Sequence, residues 1–86
     1  MLKIDEFNRL TVKLMICKYL YYIKDTNMML DYEYDMLERR WHALGMQLNI
    51  LTREDTSPCV GFNKNHPQAI LATELGEIWL KRNNVQ

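Results

Sequence analysis

Residues 21–35 read YYIKDTNMMLDYEYD and join two segments whose apolar residues have helical spacing. In the middle, residues 24–27 break that spacing with Lys-Asp-Thr-Asn, whose polar side chains favour turns by bonding to the nearby backbone. The stretch therefore predicts the turn of a helical hairpin. It also holds four tyrosines and several carboxylates within a few helical turns, which is more than a plain hairpin needs.

The segment before this turn carries apolar residues at steps of three and four, which predict a helix over residues 3–23. The stripe that should face the core consists of Ile4, Phe7, Leu10, Leu14, Cys17 and Tyr21. The second half of the helix is apolar nearly all round, so we expect it to be covered by a third segment of the chain, a ligand or a partner. A second copy of the chain would serve equally well, which leaves a homodimer open.

The segment after the turn resumes the same spacing at Tyr34, Leu37, Trp41 and Leu44, and it predicts a helix over residues 30–45. Asp31 is placed to cap its start and Gly45 to end it.

Residues 46–66 lose the periodicity and predict a long extended connection. Pro67 suits the first turn of a last helix over residues 67–82. The chain is thus expected to be a single all-α domain over residues 1–86, with an antiparallel two-helix hairpin and a C-terminal helix after an irregular connection.

Composition narrows the class of protein. Eleven basic and eleven acidic residues balance, which argues against strong nonspecific binding to nucleic acid, since that depends on an excess of Lys and Arg. The most apolar run, residues 12–23, contains two lysines and is shorter than the ~20 residues of a membrane span. The first residues do not resemble a signal peptide. We expect a cytoplasmic protein without membrane contact.

The cysteines and histidines do not have the spacing of a metal site. Zinc sites usually contain close ligand pairs, whereas Cys17, Cys59, His42 and His66 are scattered. We expect both cysteines to be free thiols and no metal to be bound.

The residues around the turn favour one kind of ligand. Asp31 and Asp35 lie one helical turn apart with Tyr34 beside them. Tyrosine faces attract organic cations, and paired carboxylates suit sugar hydroxyls. The pattern favours a flat, positively charged ring on a sugar, although tyrosines at this spacing are also typical of an amphipathic core.

Two ordered motifs carry a resemblance that extends from about residue 10 to residue 61. The run YYIKD at 21–25 followed by LDYEYDML at 30–37, and then DTSPCVG at 55–61, resembles domain Ia of bacterial NAD-dependent DNA ligases. In that family the domain recognises the nicotinamide mononucleotide half of NAD. The resemblance implies that an aromatic pair contacts the nucleotide, an acidic pair holds its ribose and one tyrosine lies beside the nicotinamide. In this chain those residues are Tyr21 and Tyr22, Asp31 and Asp35, and Tyr34.

The departures from the family exclude ligase activity by this chain alone. No Lys-x-Asp-Gly motif is present to supply the adenylated lysine. Leu30 stands where the family has a serine, and the residues after Gly61 have no ligase counterpart. Because half of the NAD site is missing, we expect affinity for nicotinamide mononucleotide of only ~0.1–1 mM.

Three functions are compatible with these observations. The first is a noncatalytic binding module that needs no cofactor, recognises nicotinamide mononucleotide or NAD, and senses it or serves a ligase-like protein partner. The alternative is a phage or mobile-element interaction protein that inhibits a host enzyme or defence complex, such as an anti-CRISPR or anti-restriction protein. The third is a small enzyme with Asp31 or Asp35 as general base, which lacks an obvious nucleophile, metal or oxyanion donor.

Overall fold

The computed structural model describes residues 2–51 and 67–83, and this part of the chain folds into three helices. They are α1 (Lys3–Lys24), α2 (Asp31–Gln47) and α3 (Ala69–Arg82). The prediction of an all-α domain is confirmed. The DTSPCVG motif, Cys59, His66 and most of the predicted connection lie outside the described residues.

α2 packs antiparallel against α1. Near the start of α1, Glu6 pairs with Arg40 in the second half of α2, with Arg40 Nε 2.9 Å from Glu6 Oε2. Near the end of α1, Lys18 contacts the ring of Tyr34 close to the start of α2. The predicted hairpin is therefore present, and its turn brings the end of α1 next to the beginning of α2.

The contact between α1 and α2 is built on buried apolar side chains and one hydroxyl. Phe7 and Trp41 stack with their ring centroids 5.7 Å apart, and Leu14 and Leu44 complete the cluster. Thr11 is buried beside them. This cluster holds the first half of α1 against the second half of α2.

α3 covers the other side of α1 along its second half. Met15 packs against Ala69 and Ala72, where small side chains allow the two helices to approach closely. Further along, buried Tyr19, Leu20 and Leu80 form a second cluster with α3, and the partly buried Ile16, Met28 and Trp79 pack against its edge. The chain's own third helix thus covers the wide apolar surface of α1, whereas α2 and α3 do not contact each other within the described residues.

Gly45 does not end α2, as the sequence suggested, because the helix continues through it to Gln47. The residue is buried, and a Cβ there would lie 2.9 Å from Phe7 Cε1 and still closer to the side chain of Leu51. Close packing, rather than helix termination, explains the glycine. The chain turns after the helix at Asn49, whose φ of 59° is a conformation that asparagine tolerates.

Asp31 is the first residue of α2 and not its cap. The cap position belongs to Leu30, which has no side-chain oxygen to accept a bond from the free N–H groups. Glu33 compensates in part, because its carboxylate accepts a hydrogen bond from the Leu30 backbone N–H at 3.2 Å. At the other helix start, Pro67 and Gln68 form a turn and α3 begins at Ala69.

Candidate functional site

A pocket of about 160 Å³ lies where α1 ends and α2 begins. Each of the three adjoining segments contributes side chains. α1 supplies Cys17, Lys18, Tyr21 and Tyr22, the connection supplies Asn27, Met28 and Met29, and α2 supplies Asp31 and Tyr34. The hairpin turn therefore forms a partly open site in addition to joining two helices.

Four of the five residues that sequence reasoning singled out line this pocket, and the fifth does not. Tyr21, Tyr22, Asp31 and Tyr34 are brought together there. Asp35 lies outside the pocket lining and forms an exposed ion pair on the surface of α2, with Arg39 Nη2 3.0 Å from Asp35 Oδ2. Of the two aspartates, Asp31 is the one that lines the pocket.

The backbone between the helices shapes the pocket. Asp25 ends α1 in the left-handed region with φ 50°, and the backbone N–H of Thr26 returns to the carbonyl of Leu20 at 2.8 Å. Such a tight ending is common at helix C-termini. It directs residues 27–29 back across the end of α1, where they form one wall of the pocket.

The adjacent tyrosines of α1 are exposed, with 56% of Tyr21 and 54% of Tyr22 accessible. Tyr21 was expected on the core face of α1, and that expectation is wrong. The buried residues of α1 end at Leu20, and Tyr21 lies in the last turn after them. The two rings meet edge to face at 4.9 Å, which leaves ring faces available at the rim of the pocket.

The sequence did not single out five of the residues that line the pocket, and Lys18 is the charged one among them. Its ammonium lies 5.1 Å from the centroid of the Tyr34 ring and 5.6 Å from that of Tyr22, within the range of cation–π attraction. The signal was present in the sequence, because Lys18 precedes Tyr21 and Tyr22 by one helical turn and therefore shares their face. By composition alone, it is a charge that interrupts an apolar run.

Cys17 lies at the buried side of the pocket and is a free cysteine. Burial raises the pKa of its thiol to about 11, with smaller opposing effects from nearby lysines. At neutral pH the group is a thiol, and a thiol is a poor nucleophile and metal ligand. In the described part of the chain, no group of His, Cys, Asp and Glu side chains could hold a metal ion.

The pocket can thus offer aromatic faces and hydroxyls, one carboxylate and one ammonium group to a small ligand. Searches for similar proteins found no matching family model, curated protein or solved structure. Among the described helices, none is long and apolar enough to cross a membrane.

Proposed function

We propose that this protein is a small noncatalytic module that binds the nicotinamide mononucleotide unit, either free or as part of NAD. The observation that carries the proposal is that Tyr21, Tyr22, Asp31 and Tyr34 line one pocket. These residues are separated by a turn in sequence, and packing could equally have turned them to different sides.

The chemistry of the pocket supports this ligand. Oxidised nicotinamide is a flat cation that stacks favourably on tyrosine faces, an interaction of about 0.5–2 kcal/mol depending on exposure. The carboxylate of Asp31 can accept hydrogen bonds from the ribose hydroxyls. Together these groups match a charged ring attached to a sugar.

The size of the pocket favours one half of the dinucleotide. Sites that enclose drug-sized ligands usually measure about 300–1,000 Å³, whereas this pocket measures about 160 Å³. It can enclose the nicotinamide and part of its ribose, so the adenylate half of NAD would remain outside. We therefore expect weak binding, with a Kd of ~0.1–1 mM.

Titration with nicotinamide mononucleotide, followed by amide chemical shifts of the labelled protein, tests the proposal. Tyr22→Ala should weaken binding about tenfold, because an exposed ring that contacts the ligand is lost. Tyr32→Ala is the matched control, because Tyr32 is also more than half exposed but does not line the pocket. Absence of shifts at millimolar ligand, or equal weakening by both variants, would refute the proposal.

A role for a ligase-like partner can be tested separately. A bacterial NAD-dependent DNA ligase that lacks its own domain Ia would be mixed with this protein and NAD, and adenylation of the ligase lysine would be followed. If adenylation is recovered and the recovery requires Tyr22, the protein can replace domain Ia as a separate chain. No recovery, with nucleotide binding intact, would leave a ligand sensor.

The second candidate function is a protein-interaction module that inhibits a host enzyme or defence complex. Exposed apolar side chains favour it, since Tyr32 and Met36 lie one turn apart on α2 and are each more than 60% exposed. For this function, substitutions on the exposed face of α2 become the test and Tyr22→Ala becomes the control. Tyr32→Ala with Met36→Ala should abolish inhibition of a candidate target, and Tyr22→Ala should have no effect.

A further inference from the structure

Lys18 gives the pocket a feature that a site for a simple organic cation would not have. Its ammonium already lies over the rings of Tyr22 and Tyr34. A purely cationic ligand would have to displace it from those faces and would then be repelled by it. A ligand that also carries a negative group would avoid both costs.

The ammonium of Lys18 is available for an anionic partner. Within the described part of the chain, Lys24, Arg39 and Arg40 form ion pairs with acidic side chains, and Lys18 takes part in none of these pairs. Its attraction to the tyrosine faces is weaker than a charge-assisted hydrogen bond to a phosphate. Moving to a phosphate would therefore break no salt bridge and would free the faces of Tyr22 and Tyr34.

The pocket also contains the opposite charge. Asp31 and Lys18 line it together without forming an ion pair with each other. An acid and a base held apart in one small site suit a ligand with both a positive and a negative group. Nicotinamide mononucleotide is such a ligand, because its pyridinium is positive and its phosphate is negative.

We propose that Lys18 binds the phosphate of the ligand and that this contact makes the pocket select the nucleotide over the nucleoside. The inference rests on the proposed function and assigns a role to a residue that the resemblance to ligase domain Ia leaves without one. In the bound state Lys18 contacts the phosphate, and the tyrosine faces that it leaves receive the nicotinamide. Binding of the phosphate by Lys18 therefore favours binding of the nicotinamide, because it frees the tyrosine faces.

Paired titrations with nicotinamide mononucleotide and nicotinamide riboside test this role, because the two ligands differ by the phosphate alone. The wild-type protein should bind the mononucleotide about tenfold more tightly, which corresponds to about 1.4 kcal/mol. Lys18→Met should remove that preference, because the mononucleotide loses its phosphate contact while the riboside, which no longer competes with the ammonium for the tyrosine faces, binds as tightly or more tightly. Lys18→Arg should retain most of the preference.

Lys13→Met is the control for net charge, since Lys13 lies on the same helix, is exposed and does not line the pocket. It should preserve the preference. Equal binding of both ligands to the wild type, or equal loss of both in Lys18→Met, would overturn the role of Lys18 and leave the proposed function intact. Failure of both ligands to bind the wild type at millimolar concentration would overturn both.

Discussion

Thr11 satisfies two polar groups at the centre of the contact between α1 and α2. Its hydroxyl donates to the backbone carbonyl of Phe7 at 2.9 Å and accepts from the indole N–H of Trp41 at 2.8 Å. Both Thr11 and Trp41 are buried. A buried donor that loses its acceptor costs more than an average hydrogen bond contributes, so this hydroxyl fixes which residue can face Trp41.

Thr11→Val should lower the free energy of unfolding by about 1–3 kcal/mol, because the shape is kept and the Trp41 N–H loses its acceptor. Urea denaturation followed by far-UV circular dichroism measures the change. Thr73→Val is the matched control, since the Thr73 hydroxyl bonds to the carbonyl of Ala69 in its own helix. An equal loss of stability in both variants would contradict the special role of Thr11.

The sequence predicted individual residues only where their spacing was informative. Phe7 and Leu14 belong to the stripe of the first helix that was expected to face the core, and both are buried. Helical spacing does not single out Thr11 or Lys18. The role of Thr11 depends on Trp41, which is 30 residues away, and the role of Lys18 depends on the pocket. Asp35 could be paired with Arg39 or with a ligand on spacing alone, and only the fold separates Asp35 from the pocket.

At the scale of elements, α3 is fastened to the end of α1 by a polar cluster. The Tyr19 hydroxyl donates to Glu77 Oε1 at 2.6 Å, and Lys24 Nζ lies 3.0 Å from the same oxygen. The hydrogen bond from Tyr19, followed by that from Lys24, lowers the pKa of Glu77 below its ordinary value of 4.5. Burial and then Glu77 raise the pKa of Tyr19.

The contribution of Glu77 to stability should disappear in acid. A carboxyl whose pKa is lowered in the folded state stabilises the fold above its unfolded pKa and loses this effect as the pH falls through the folded value. The difference in unfolding free energy between the wild type and Glu77→Gln should therefore be largest at pH 6 and vanish below the lowered pKa.

Unfolding by urea across that pH range measures this difference. Glu74→Gln provides the comparison, because Glu74 is an exposed acid on the same helix. Its substitution should have a smaller effect. A Glu77→Gln difference that persists unchanged at pH 3 would show that the cluster acts through something other than charge.

The same contact depends on Gly76. A Cβ at this position would lie 2.8 Å from Cδ2 of the Tyr19 ring, closer than the two groups can pack without movement. Overpacking in Gly76→Ala should cost about 1–3 kcal/mol, and the ~1 kcal/mol that alanine gains in helix propensity offsets part of this cost. The fold should therefore be destabilised by up to ~2 kcal/mol. Denaturant titration measures the net effect. In a Tyr19→Leu background the penalty should disappear, and its persistence would contradict this explanation.

Helices were easier to predict than their ends and contacts. Periodicity identified all three elements that the structure describes, because amphipathic spacing reflects burial along a whole helix. The predictions from Gly45 and Asp31 about the ends of α2 were wrong. Glycine and aspartate are frequent at helix ends, but here one allows close packing of Phe7 and the other occupies the first helical position.

For the whole molecule, α1 is the shared partner of the other two helices. The buried cluster that contains Phe7 and Leu14 packs on α2, and the clusters that contain Met15 and Leu20 pack on α3. α2 and α3 do not touch each other in the described part of the chain. Thr11 and Tyr19 are eight residues apart on this helix, or about 12 Å at 1.5 Å per residue. Substitutions in the two contacts should therefore change the free energy of unfolding nearly independently.

The double variant Thr11→Val with Gly76→Ala should lose the sum of the two single losses in unfolding free energy, within about 0.5 kcal/mol. Thr11→Val with Trp41→Phe is the coupled control, because both changes remove the same hydrogen bond. Its loss should fall short of the sum. Strong coupling between Thr11 and Gly76 would contradict the separation of the two contacts.

The placement of the tryptophans gives this arrangement an optical consequence. Trp41 belongs to the contact between α1 and α2, and Trp79 lies at the edge of the contact between α1 and α3. Each helix that docks on α1 therefore carries its own fluorophore, while the pocket contains tyrosines and no tryptophan. Emission from a variant that retains one tryptophan should report the departure of one helix, so the order in which α2 and α3 leave α1 can be read as two separate signals.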